Sequence, residues 1–371
     1  MATNTHIQSR SARRCILRSG AAKFLYATAV ATAASAALAS LSGLKAAPEA
    51  ALATRPAAVV RAASGGGFGY PIKPFDREHP IRANFGDPRS NFHGPPTLDT
   101  VLHGTGSFSF HQGVDISAPN GTAVYPVVDG TVATAAGDWV GVRSDGERGF
   151  EYWHIRPLVK VGQHVEARKT ILGRIIKPAG HVHLTEYQDG KVVNPLAPGR
   201  LTPYHDRTRP SVNSISFRRS DTGPAVLPGF VRGSVEIVVD AQDTPSMAVR
   251  GEWRNLPVSP ALLTYRIKSW AGKTVVPRRV AVDYRTTVPQ NSAFWSVYAR
   301  GTYQNMSVFG PHYSYLQRGC FLFKLTPKPF DTRKLHDGVY DIVVTATDIR
   351  GNSDSQSLRF TVHNRAGWIG S

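Results

Sequence analysis

Cysteine is nearly absent: Cys15 and Cys320 are the only two in 371 residues. That excludes a disulfide-stapled scaffold and a cysteine-rich zinc or redox centre. Long runs of Leu, Ile or Phe are missing as well. The one extended apolar run, Phe24 to about Leu44, is built from Ala, Thr and Ser, which is weak composition for a membrane span. No cysteine follows that run, which excludes a lipoprotein anchor. Acidic side chains are scarce, 26 against 44 Lys and Arg, leaving a formal charge of +18 that draws the chain toward polyanions. No internal repeat is present.

Arg10, Arg13, Arg14, Arg18 and Lys23 precede the apolar run, and that order reads as an export signal over residues 1–53. Arg13-Arg14-Cys15-Ile16-Leu17-Arg18 resembles a twin-arginine signal, with Ala12 and Ile16 departing from the usual Ser and Phe; an ordinary Sec signal is the alternative. Small-residue cleavage sites stand at Ala37-Leu38-Ala39 and Ala51-Leu52-Ala53, and residue 54 is the working start of the mature protein. Cleavage removes Cys15 and leaves no intramolecular disulfide. Cys320, in Cys-Phe-Leu-Phe, then reads as a buried small hydrophobe. The remainder stays strongly basic. For an exported protein the polyanions in reach are wall polymers, lipid headgroups and the carboxylates of peptidoglycan, and export argues against nucleic acid. Membrane contact is expected only through the signal segment.

Length favours two domains plus extensions. Residues 54–69 have the Ala, Arg and Gly composition of a linker. From 70 to 198, short apolar runs alternate with Gly, Asp and Pro, and no amphipathic 3.6-residue stretch interrupts them: a β domain. A polar, Pro-bearing linker at 199–210 leads to six or more further strands over 211–364, which suggest an immunoglobulin-like antiparallel β-sandwich before a tail at 365–371. The fold class is therefore all-β. Residues 289–311, rich in Ser, Asn, Tyr and Gly, read as a long loop or insertion.

Five side chains of the first domain carry the chemistry: His111, Asp115, His154, His181 and His183. Side chains alternate along a strand, so His181 and His183 share one face while Val182 and Leu184 turn into apolar packing. Asp115 lies between Val114 and Ile116, and burying those two turns its carboxylate to the same surface as the imidazoles. A buried carboxylate requires a cation or donors. Zinc suits His nitrogen and Asp oxygen, and three protein ligands leave a fourth position open for water. His93, His103 and His164, in polar loops or turns, stand outside this set. Asp240, Asp243, Asp337, Asp341, Asp348 and Asp354 have no calcium-loop spacing and read as turn formers.

Read together, Asn84-Phe85-Gly86, the run His111-Gln112-Gly113-Val114-Asp115-Ile116-Ser117-Ala118-Pro119-Asn120-Gly121-Thr122, and Val128-Asp129-Gly130-Thr131-Val132 resemble the successive blocks of the lysostaphin-type (LytM-domain) zinc endopeptidases. Tyr152-Trp153-His154-Ile155, Val161-Gly162-Gln163-His164-Val165, Leu172-Gly173 and His181-Val182-His183-Leu184 continue the series in order over roughly residues 70–198. The resemblance implies a LytM-type β-sheet peptidase domain (the duplicated hybrid motif) with one zinc ion held by His111, Asp115 and His183. His154 and His181 would flank a bound water, one as general base and the other stabilising the oxyanion, in either order. The substrate it implies is a peptide bond of peptidoglycan stems or cross-links; the alternative is a non-catalytic envelope module that binds peptidoglycan or activates another wall hydrolase. Two departures bear on the cleft: the stretch between Gly173 and His181 is shorter than the family's, and Leu184-Thr185 stands where Phe-Glu is expected.

Overall fold

The computed structural model describes residues 66–93, 97–144, 146–306 and 318–365. The expected export signal and most of the first linker lie outside them. No helix among the described residues is long and apolar enough to cross a membrane.

The first unit is built on an antiparallel sheet whose strands run, side by side, Ile81–Ala83, Val114–Ser117, His181–Gln188, Arg148–Trp153, Trp139–Arg143, Gly130–Ala136 and His164–Val165, with Lys191–Val193 added to the His181–Gln188 strand. A three-stranded sheet of Ala123–Val124, Gly173–Ile175 and Ile155–Pro157 accompanies it, and Pro88–Phe92 pairs with Gly106–Phe110 as a hairpin. Period-two alternation places the core: Val114, Ile116, Val140, Tyr152, Val182 and Leu184 are all fully buried in one cluster. Each such aliphatic side chain removed from water stabilises the unit by about 1.5–3 kcal/mol. The core thus fixes which residues of the same strands must face the other way.

Phe68 is buried at the edge of this core, with its ring edge-on to Phe150 at 5.0 Å and a bridge to Leu201. Leu201, Tyr204 and Asp206 are also buried, so the polar segment after residue 198 packs against the body of the protein.

Two more antiparallel sheets follow. One is ordered Ala225–Val226, Ser211–Arg218, Ser234–Gln242, Leu322–Lys324, with Phe330–Asp331 added; the other is Thr274–Asp283, Leu262–Ser269, Gly338–Thr347, Ser353–Val362. Ile237, Val239, Leu263, Ile267, Ile342 and Val344 from both sheets meet in one core at 0% exposure, which makes the pair a sandwich. Phe85 and Phe110, from the first half of the chain, belong to this second core. The segment expected as a loop or insertion from 289 is largely irregular among the described residues and carries two short turns, Asn291–Ala293 and Phe294–Val297. Aromatic burial explains them: Phe294 and Tyr298 are 1% and 0% exposed and pack on Phe110. Cys320 is buried in a satellite cluster with Val238, Ala299 and Leu322, the apolar surroundings expected of it.

Candidate metal centre

Strand register brings the sequence candidates together. His183 stands opposite Asp115 on one neighbour and opposite Trp153 on the other, and His181 stands opposite Ser117. His111 arrives from the end of the Gly106–Phe110 strand, and its ring centroid is 4.7 Å from that of His183. His111 Nε2 lies 3.1 Å from Asp115 Oδ1 and 2.7 Å from His183 Nδ1; His183 Nδ1 lies 3.0 Å from the same Oδ1.

The outer hydrogen bonds bear on what these atoms are. His111 Nδ1 donates to the carbonyl of Asn84 at 2.8 Å, and a carbonyl can only accept, so Nε2 of the neutral ring carries a lone pair. Thr185 Oγ1, 2.8 Å from His183 Nε2, is able to accept the proton of the tautomer that would turn the Nδ1 lone pair inward, although as a hydroxyl it does not fix that tautomer by itself. Asp115 Oδ2 takes Arg89 Nη2 at 3.0 Å, leaving Oδ1 for the cluster. Two imidazole lone pairs and a carboxylate oxygen then share one small space, an arrangement that calls for a cation. A tetrahedral zinc ion bonded at about 2.0–2.1 Å would hold its ligand atoms roughly 3.3 Å apart. The observed edges of 2.7–3.1 Å need open by only a few tenths of an ångström. The residues present fit the ion.

Burial sets the protonation states. It drives His111 down to about 3, assisted by the Arg89 charge. Burial also works to raise the Asp115 carboxyl, but His111, His181 and Arg89 outweigh it and hold the group well below the usual carboxylate range. The centre is therefore ready for a cation at neutral pH without first losing protons.

His181 and His154 lie beside the cluster with ring centroids 4.6 Å apart. His181 Nδ1 donates to the Ala179 carbonyl at 2.8 Å, so its Nε2 lone pair is free, 3.5 Å from Asp115 Oδ1, and burial pushes the ring down to about 3. His154 has a left-handed φ of 65°, unusual for a residue with a side chain. The reason is local: the chain leaves the large sheet at Trp153 and joins the small one at Ile155, and His154 makes that turn with Nδ1 3.4 Å from Asp138 Oδ2. Burial lowers its pKa as well. His93, His103 and His164 stay away from the site.

Backbone also crowds the centre. A Cβ at Gly113 would sit 2.7 Å from His183 Nε2 and 2.4 Å from the Leu184 carbonyl. Gly113→Ala should therefore displace His183, costing about 1–3 kcal/mol in stability and lowering zinc content, as denaturation and metal analysis of the purified variant would show.

Several contributors were invisible in the spacing. Thr185, met in the sequence as a departure, is the partner of His183, and its place two residues along the same strand face was a usable signal. Arg89 and Asn291 gave none. Asn291 Oδ1 accepts the backbone N–H of Phe110, next to His111, from 181 positions away, and lines the cleft of about 280 Å3 around the cluster. Elsewhere Asp348 forms the turn expected of it, accepting from Arg350 N and Asn352 N, yet it also meets Asp206 and Asp243 within 4.8 Å. Burial and those neighbours push Asp243 up to about 8, so a bound proton relieves the repulsion.

A β unit that converges two imidazoles and a carboxylate on one point, with two more imidazoles alongside, has the form of a metallopeptidase centre. The family follows from the sequence of that unit: residues 109–195 match the model of peptidase family M23, and the unit is a LytM-type domain of that family. No curated protein matches the chain. Among solved structures it is similar to a zinc-containing peptidase from Vibrio cholerae (23% identity, TM-score 0.26), with 34% of this chain and 39% of that one covered. The catalytic domain of a prophage-encoded M23 protein from Enterococcus faecalis is 27% identical over 31% of this chain and 92% of that one, at a TM-score of 0.21. A SpoIIQ-SpoIIIAH pore-forming complex is 19% identical over 35% and 89%, at 0.27.

Proposed function

We propose that the protein is an exported zinc endopeptidase of the bacterial cell envelope that hydrolyses peptide bonds in peptidoglycan stems or cross-links. The observation that carries this reading is the convergence of His111 Nε2, Asp115 Oδ1 and His183 Nδ1 beside two further imidazoles. A module that only binds has no need of all five. Peptidoglycan, and with it anionic wall polymers, suits the strongly basic chain.

His111, Asp115 and His183 would hold one zinc ion, which when bound lowers the pKa of a water to about 7 and polarises a peptide carbonyl. Arg89 and the Asn84 carbonyl keep two of the ligands oriented. His181, with its Nε2 lone pair facing the centre, is the better placed proton acceptor; His154, half exposed at the cleft, faces the developing oxyanion and the leaving group.

Incubating the zinc-loaded protein with sacculi, with a chelated control, and identifying released fragments by mass tests the reading. Chelator-sensitive peptide products support it. Intact sacculi, with zinc bound and the protein sedimenting with the wall, would move the assignment to a binding or activating module.

The pH profile provides a second check. A base acts in its neutral form, and an unperturbed histidine loses that form below about 6.5. His181 is depressed to about 3 and His154 is lowered too, so acid does not protonate them at the usual point. At saturating zinc the acid limb should therefore be a single protonation, that of the metal-bound water at about 7, and a limb with a slope of two would count against both histidines as the base.

A further inference from the structure

We infer that Glu151 makes the cleft selective for peptides bearing a free primary ammonium, a lysine-like diamino residue, within about two residues of the scissile bond. The inference rests on the peptide-cleaving reading above and names a selectivity determinant within it.

The argument begins with register. Trp153 and Glu151 lie on one face of the Arg148–Trp153 strand, directly opposite His183 and Thr185. Same-face neighbours along a strand are about 7 Å apart, so Glu151 is one such step beyond the residue pair at the metal cluster. All four side chains line the same cleft. An extended peptide placed with one carbonyl at the cluster puts its next same-side group, or the end of a long nearer side chain, over Glu151.

The chemistry at that point selects for positive charge. Glu151 Oε2 accepts Trp153 Nε1 at 2.9 Å, and Tyr187 lies diagonally across from it on the adjacent strand and lines the same cleft. Both neighbours are neutral, and no Arg, Lys or His forms an ion pair with Glu151 among the described residues. Arg89, the arginine that lines the cleft, is committed to Asp115. In a chain with 44 basic residues against 26 acidic ones, this carboxylate is left with no counter-charge beside the reaction centre. Its surroundings complete a receptor for an ammonium. Trp153 stacks on Trp139 with centroids 4.7 Å apart and planes within 9°, fixing an aromatic wall, and Tyr187 stands on the other side. A carboxylate between aromatic faces offers a cation both a charge-assisted hydrogen bond and ring contacts.

The test uses two peptides with both ends blocked: Ala-Lys-Ala with a free side-chain amine, and the same peptide acetylated on that amine. Binding is measured by calorimetry on the full chain stripped of metal, so that nothing turns over. The free-amine peptide should bind at least tenfold tighter, with the preference falling below threefold in Glu151→Gln and in high salt, and surviving in Glu151→Asp. Glu151→Lys should reverse it. Equal binding of the two peptides, no binding of either, or an unchanged preference in Glu151→Gln in a protein that keeps its thermal transition overturns the inference. Sacculus digestion without the preference defeats this proposal alone; the preference without digestion defeats the hydrolase reading and leaves the ammonium site standing.

Discussion

His183→Ala should leave the purified protein without stoichiometric zinc and without measurable turnover, whereas His154→Ala should keep the metal and lose turnover by about 10²–10⁴-fold. The two imidazoles are separated by their geometry. His183 Nδ1 is 2.7 Å from His111 Nε2 and 3.0 Å from Asp115 Oδ1, so deleting it removes one of three donors and leaves a buried pair that cannot close a site. His154 pairs with Asp138 at 3.4 Å and lies beside His181 with the two rings tilted, and it makes no hydrogen bond or ion pair with the three donors. Its loss removes a group that handles a proton or a developing charge, and nothing that grips the ion. Metal analysis of both variants beside an activity assay reads the contrast. Full zinc occupancy in His183→Ala would show the ligand assignment to be wrong.

Tyr284→Ala should destabilise the protein by about 3–5 kcal/mol, the range for deleting a large buried aromatic, and weaken zinc binding by roughly tenfold. Tyr284 is 1% exposed, packs on Phe110 at 5.9 Å, and receives Asn194 Nδ2 on its backbone carbonyl at 2.8 Å. Its ring lies flat against Gly86, where a Cβ would sit 2.3 Å from Cδ2. Gly86 in turn donates its N–H to the His111 carbonyl at 2.8 Å. The sandwich therefore supports the segment that aims His111, through Tyr284 on Gly86, Tyr298 Oη on the Gly86 carbonyl, and the Ser259 N–H on Asp87 at 2.7 Å. Gly86→Ala should harm the native protein more than it harms the Tyr284→Ala background, because truncating the ring removes the clash while the φ of 90° remains unfavourable for alanine in both. Denaturant unfolding of the four proteins measures that coupling. Strictly additive losses would mean the contact is not what restrains Gly86.

Much of the first unit was legible because strand physics is local. Val182 and Leu184 alternate with His181 and His183, and Val114 and Ile116 flank Asp115; burying the apolar set leaves the polar set no other face. The segment after residue 289 is largely irregular among the described residues, but its short helical turn was not legible, because the energy that folds it comes from Phe294 and Tyr298 meeting Phe110, a contact across more than 180 residues that no local pattern encodes. Asp206, Asp243 and Asp348 escaped for a similar reason: they come from three segments separated by 37 and 105 positions in the numbering, and only packing closes them within 4.8 Å.

The sequence by itself determined that the chain is all-β, that disulfide and cysteine-metal chemistry play no part in its centre, and which side chains have the donor atoms and the strand parity to form one. Composition and period-two alternation suffice for that, because they depend on neighbours along the chain. Tertiary structure alone decided which ring nitrogens face inward, through the Asn84 carbonyl and Thr185, and that burial keeps His111 and His181 neutral. It also decided that Arg89 neutralises Asp115 while Glu151 forms no ion pair among the described residues, and that the sandwich braces His111. Protonation and orientation depend on desolvation and on partners distant in sequence, and those exist only once the sheets have closed around the site.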